Sequence, residues 1–165
     1  MTEDERLFSF VDTCLYQAKQ VLDAGFWRND EAWVRHGGFL VVITNLSDVL
    51  MTLHRLKRRI SITEDVGHHE DVTHLIKEVR NAACHMGSPL RRATDNASIS
   101  FATIVGRGTL MCVGDLNIEN PYEDDVAFYY GRLRVFLFRH LIRAWQLSAE
   151  ELADFRPNGY WLSVR

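Results

Sequence analysis

The stretch Arg80-Asn81-Ala82-Ala83-Cys84-His85 brings a guanidinium, a primary amide and an imidazole into six consecutive residues. RNA cleavage by the substrate's own 2′-hydroxyl requires groups of these kinds: an acid or base that titrates near neutrality and a fixed cation for the phosphorane-like charge. Such a reaction needs no metal and no cofactor. Spacing alone is weak support, because 16 arginines and 7 histidines produce chance repeats, and Arg134 to His140 meets the same pattern. The interior of that second stretch is apolar and nothing polar follows Arg134, so His140 reads as structural.

Other constellations carry less. His68-His69-Glu70-Asp71-Val72-Thr73-His74 resembles a zinc-protease HExxH with one residue too many. On one helix that spacing turns His69 and His74 about 140° apart, so no metal site is expected. Cys84 adjoins His85, but successive helical side chains diverge by about 100°, so Cys84 reads as a packing residue rather than a nucleophile. Cys14, Cys84 and Cys112 are odd in number and follow no ligand spacing, which fits a reducing, cytoplasmic setting.

The chemistry depends on the helix that carries it. A third helix is expected from about Glu70 to Met86, closed by Gly87-Ser88-Pro89. Val72, Leu75, Ile76, Val79, Ala82, Ala83 and Met86 share its apolar arc; His74, Lys77, Glu78, Arg80, Asn81 and His85 share the polar one. Asn81 and His85, four apart, then stack on one face with Arg80 at its edge. Asn45, Asp48 and Thr52 form a polar stripe on the preceding helix that either orients Arg80 or is solvated, with Glu78 a further supporting residue. Arg91 and Arg92 follow the motif and either hold RNA phosphates or lie in a surface loop.

Around this element, helices are expected at Glu5 to Ala24, closed by Gly25, and at Ala32 to Arg59, where Gly37-Gly38 either kinks the helix or admits another backbone. The basic end Arg55 to Arg59 suits a helix C-terminus. Trp27 and Trp33 read as core anchors. Ile99 to Val113 reads as a β-hairpin about Gly106-Arg107-Gly108. A fourth long helix is expected from Asp125 to Gln146, burying Phe128, Leu133, Phe136, Leu137, Leu141, Ile142 and Trp145 and aligning Arg132, Arg139 and Arg143 on its other side. A short helix capped by Ser148 follows to Phe155, with Tyr160-Trp161-Leu162 packing on the body or a partner.

The Arg80 to His85 stretch resembles the Arg-x(4–6)-His signature of the HEPN superfamily, with the polar residue after arginine that this superfamily favours. The resemblance implies a mainly α, up-and-down bundle of four main helices spanning residues 1–165 as one domain, with a β-hairpin inserted at about 99–113. It implies a metal-independent endoribonuclease giving 2′,3′-cyclic phosphate ends, with Arg80 and His85 catalytic and Asn81 assisting. It also implies a homodimer with a composite site, an RNA substrate, and toxin–antitoxin or antiphage roles with an antitoxin protein as partner. The alternative within the superfamily is a catalytically silent dimeric module that binds a protein or RNA. Gly87 stands where one branch carries a tyrosine for nucleotide modification, so control of that kind is not expected.

The formal net charge of −3 excludes a protein that coats nucleic acid by bulk electrostatics and leaves room only for a local basic patch. The acidic start Met1-Thr2-Glu3-Asp4-Glu5-Arg6 does not read as a signal peptide. No uninterrupted apolar run reaches about 18 residues, so no membrane span is expected.

Overall fold

The computed structural model describes residues 3–85 and 87–153; Met86, Phe155 and Tyr160-Trp161-Leu162 lie outside it. Helix α1 (Glu3–Asp23) buries Val11, Leu15, Ala18 and Leu22, and the chain turns at Gly25 through a 3-10 turn, Phe26–Arg28, into α2 (Ala32–Arg55). Helix α2 is long and apolar enough to cross a membrane by length and composition, yet Phe39, Val42, Ile43, Leu46, Val49, Leu50 and Leu53 are fully buried in the core of this protein. Gly38 is where the Phe26 ring rests: a Cβ there would stand 2.5 Å from that ring, so the close neighbour is a side chain and α2 runs on unbroken. Trp27 is buried as expected, but Trp33, on the first turn of α2, is 74% exposed and anchors nothing in the core.

Helix α3 (Val72–Cys84) returns antiparallel to α2. Thr73 Oγ1 donates to the Ile60 carbonyl at one end (2.7 Å), and Thr44 Oγ1 meets Cys84 Sγ at the other (3.8 Å). Cys84 is exposed, so it does not pack as expected.

Beyond α3 the mainly α bundle is overturned. Among the described residues seven strands form three small antiparallel sheets: β1 (Arg92–Thr94) with β2 (Ala97–Ser98), β4 (Gly108–Val113) with β5 (Leu116–Asn120), and β3 (Ala102–Val105), β6 (Val126–Tyr130) and β7 (Leu133–Phe136) in the order β3-β6-β7. The hairpin expected over 99–113 does not form. Its two halves pair elsewhere, β3 with β6 (Thr103 opposite Phe128) and β4 with β5 (Cys112 opposite Asn117).

The fourth long helix is replaced by β6, β7, a π-helical turn (Leu137–Ile142) and α4 (Arg143–Glu151). The reason lies in burial on both sides of β6. Val126, Phe128 and Tyr130 face the helical core, while Ala127 and Tyr129 face a second cluster with Ile118 and Phe136, so every position is apolar and buried. A strand buried on both faces loses the alternation that distinguishes it from a helix. Ser148, expected to cap a separate helix, sits fully buried inside α4.

Asp125 organises the π-helical turn by accepting from the Phe138 and Arg139 amides, at 2.9 and 3.1 Å, and from Arg139 Nη1 at 2.9 Å. His140, fully buried there, accepts from the Phe136 amide through Nδ1 and donates through Nε2 to the Glu64 carbonyl (2.8 Å). Trp145 Nε1 donates to the Leu15 carbonyl, tying α4 to α1. The β6–β7 connection is the pair Gly131-Arg132, with Gly131 at φ +56° and its amide bonded to the Ile99 carbonyl. This loop presses on the segment after α3: a Cβ on Gly131 would stand 2.0 Å from the Leu90 carbonyl oxygen.

Candidate functional site

The polar end of α3 is built from outside the helix. Arg91, in the 3-10 turn Pro89–Arg91, donates through Nε and Nη2 to the Ala82 and Ala83 carbonyls at 2.6 and 2.8 Å. These last-turn carbonyls lack amide partners in a following turn, and the guanidinium supplies them. The helix therefore stops at Cys84, short of the expected Met86. His85 has left it, with extended backbone at φ −116° and ψ 105° while its amide still bonds to the Asn81 carbonyl (3.2 Å). The helical stacking of His85 on Asn81 is thereby lost, and His85 is exposed beside a chain reversal closed by the Ser88 amide on the His85 carbonyl (2.9 Å).

Arg80 is half-buried, and its Nη1 donates to Asn81 Oδ1 at 3.4 Å. Its Nε is buried and has no hydrogen-bond partner among the described residues. A buried cationic donor left unmet is costly unless a ligand oxygen meets it. Arg92 is exposed on β1. The end of α3 thus carries Arg80, Asn81 and His85 close in sequence, with Arg91 bound to its last-turn carbonyls. Arg91 is engaged as a helix cap and lies 5.8 Å from the Tyr130 ring centroid, so phosphate contact is not its main employment.

Among the described residues no hydrogen bond or ion pair joins Asn45, Asp48 or Thr52 to Arg80, Asn81 or His85. Asn45 Nδ2 bonds back to the Val41 carbonyl, and Asp48 faces α1, where its charge adds to burial in pushing the Cys14 thiol pKa up. Glu78 turns toward a different group. Its Oε2 lies 3.0 Å from His69 Nε2, and its Oε1 lies 3.6 Å from His74 Nε2. His68 adjoins His69 with ring centroids 4.1 Å apart, and the ligand atoms of His68, His69 and Glu78 all lie within 4.8 Å of one another.

These three residues are the group among the described ones that could hold a metal ion. The expectation of none assumed that His69 and His74 share a helix. Asp71 instead caps α3 by accepting from the His74 amide (3.0 Å), and His69 sits in the turn ahead of it.

Comparison of the chain with profiles of known protein families, with curated proteins and with solved structures finds no match. Two signals for the missed parts were present in the sequence. Val113-Gly114-Asp115-Leu116 and Tyr130-Gly131-Arg132-Leu133 are two-residue hairpin turns with glycine first, and Asp71 with His74 three residues on is a helix start.

Proposed function

We propose that the protein is a metal-independent endoribonuclease whose site is completed by a second copy of the chain. The observation that carries this reading is the unmet, buried Nε of Arg80 beside Asn81 and the exposed His85. A phosphate oxygen satisfies such a donor, and charge-assisted pairing of guanidinium with phosphate is among the stronger hydrogen bonds. One helix end supplies half a cleft; a two-fold axis beside it supplies the other half, with paired arginines and histidines.

In the reaction, one imidazole takes the proton of the ribose 2′-hydroxyl as that oxygen attacks the adjacent phosphorus. The bond to the 5′-oxygen breaks, and the second copy's imidazolium protonates the leaving oxygen. The products end in a 2′,3′-cyclic phosphate and a 5′-hydroxyl. Arg80 neutralises the charge that accumulates on the phosphorus oxygens. An enzyme of this kind stops growth of the cell that makes it, and a protein antitoxin is the partner it calls for.

The test is incubation of the full chain with single-stranded RNA in EDTA. Cleavage to cyclic-phosphate ends is expected, falling by about a hundredfold or more in Arg80→Ala and in His85→Ala, with circular dichroism unchanged. Intact RNA, or cleavage by both variants at the wild-type rate, overturns the reading.

A further inference from the structure

We infer that His68, His69 and Glu78 form a site for a divalent transition-metal ion, zinc above all, with His74 beside the carboxylate. The hydrogen bonds of His69 point to such an ion. Its Nδ1 lies 2.7 Å from the Val66 carbonyl oxygen, which can only accept, so Nδ1 carries the proton. In the neutral ring Nε2 is then a bare lone pair, yet it faces a carboxylate oxygen of Glu78 at 3.0 Å. Two acceptors at that distance repel, so either a proton on Nε2 or a metal cation joins them, and the His68 ligand atom within 4.8 Å of both favours the metal.

Metal-bound histidines show this arrangement: the far nitrogen donates to a backbone carbonyl, which fixes the tautomer and aims the other nitrogen at the ion. His74 Nε2 stands 3.6 Å from the Glu78 carboxylate oxygen that does not face His69, near it but beyond direct hydrogen-bond reach.

The scaffold is firm on both sides. The turn carrying His68 and His69 is held by the His69 amide on the Val66 carbonyl (3.2 Å) and the Val72 amide on the Ile62 carbonyl (2.8 Å). It is held further by His140 on the Glu64 carbonyl (2.8 Å) and by the Tyr122 hydroxyl on Asp65. Glu78 and His74 are four apart on α3 and project to the same side.

Zinc takes ligands at about 2.0–2.2 Å, so ligand atoms around it stand about 3.3 Å apart. The His69–Glu78 distance of 3.0 Å is close to that, and the exposed His68 ring closes the remaining gap by rotating about its side-chain bonds. Two imidazoles and a carboxylate suit zinc better than the harder calcium or magnesium. Three protein ligands leave a fourth position for water or an anion. His68 and His69 also line a cavity of about 300 Å³ whose wall includes Arg132 and Arg134.

This site is independent of the ribonuclease reading, which requires no metal. The test uses the tag-free full chain stripped with EDTA and dialysed, titrated with zinc against a chromophoric chelator. One equivalent is expected to bind, and His68→Ala and Glu78→Gln each weaken it about tenfold or more. Zinc at about a hundred times the wild-type Kd should raise the Tm by about 5–10 °C in the wild type and by about half as much or less in Glu78→Gln. Cobalt(II) should give the visible bands of a tetrahedral nitrogen–oxygen site, unchanged in the Cys84→Ser/Cys112→Ser double variant. Binding below one equivalent, binding untouched by both ligand substitutions, or binding abolished by removing the cysteines overturns the proposal. In those cases a proton rather than a metal joins His69 to Glu78.

Discussion

Replacing Gly131 by alanine tests how the sheet and the motif are joined. Gly131 sits at φ +56°, in the left-handed region, where a β-carbon costs about 1 kcal/mol. That carbon would also stand 2.0 Å from the Leu90 carbonyl oxygen and 2.8 Å from the Arg91 carbonyl carbon. Both are backbone atoms, so no side chain can swing aside and the loop or the Pro89–Arg91 turn must move. Overpacking of this kind costs about 1–3 kcal/mol.

The two terms together give a loss of about 2–4 kcal/mol, or about 5–15 °C in Tm for a chain of this size. Urea and thermal unfolding followed by circular dichroism measure it. Gly37→Ala is the internal control: it lies on α2 with nothing within 4 Å of an added carbon, and should stabilise by about 0.5–1 kcal/mol. The turn that moves also carries Arg91, so ribonuclease activity per folded molecule should fall as well. A loss under about 1 kcal/mol for Gly131→Ala, or equal losses at both glycines, refutes the reasoning.

Two further outcomes follow from buried charges. Asp71 is buried, and burial alone would raise its carboxyl pKa, but hydrogen bonds from Arg59 and the His74 amide, with the Arg59 charge, hold it below its usual value. Asp71→Ala removes both a helix cap and an ion-pair partner and should cost about 3 kcal/mol in urea unfolding, whereas Asp71→Asn keeps the cap and should cost clearly less. Equal losses would show that capping contributes nothing.

His140 is held neutral: desolvation lowers its pKa from 6.5 against the opposing Glu64 hydrogen bond and the charges of Asp125, Asp65 and Glu64. The unfolded imidazole takes up a proton that the folded one refuses, so stability is full above about pH 6.5 and declines below it toward the lowered folded value, by up to about 1.4 kcal/mol per pH unit. Unfolding free energies at pH 5 to 7 for wild type and His140→Gln should differ in slope. Parallel lines would mean that His140 is not the group responsible.

The helical half of the fold was legible because each helix there has one apolar face and a terminator. Val11, Leu15, Ala18 and Leu22 recur at helical spacing before Gly25, and α3 shows the same division between Val72–Val79 and its polar arc. Val126 to Phe136 was illegible because periodicity marks a boundary between core and water, and β6 has no water side. The Arg80 motif was found by residue type, but the position of His85 was not. Its departure from the helix is decided by Arg91, whose role as a cap depends on the Pro89 turn and cannot be read from local propensity. The histidine cluster was discounted by an error of one helix boundary: once Asp71 is the cap, His69 belongs to the turn and faces Glu78.

The bond from Trp145 to the Leu15 carbonyl spans 130 residues, and His36 meets the Tyr130 hydroxyl across 94. Helix α2 packs mainly against its sequence neighbours α1 and α3, while β6 and α4 cover the rest of its apolar face from far along the chain. Contacts so distant along the chain close slowly, because loop entropy must be overcome before they form. A partly folded α1–α3 unit consequently keeps the patch around Phe39 open until β6 arrives. That exposed patch favours association between partly folded chains.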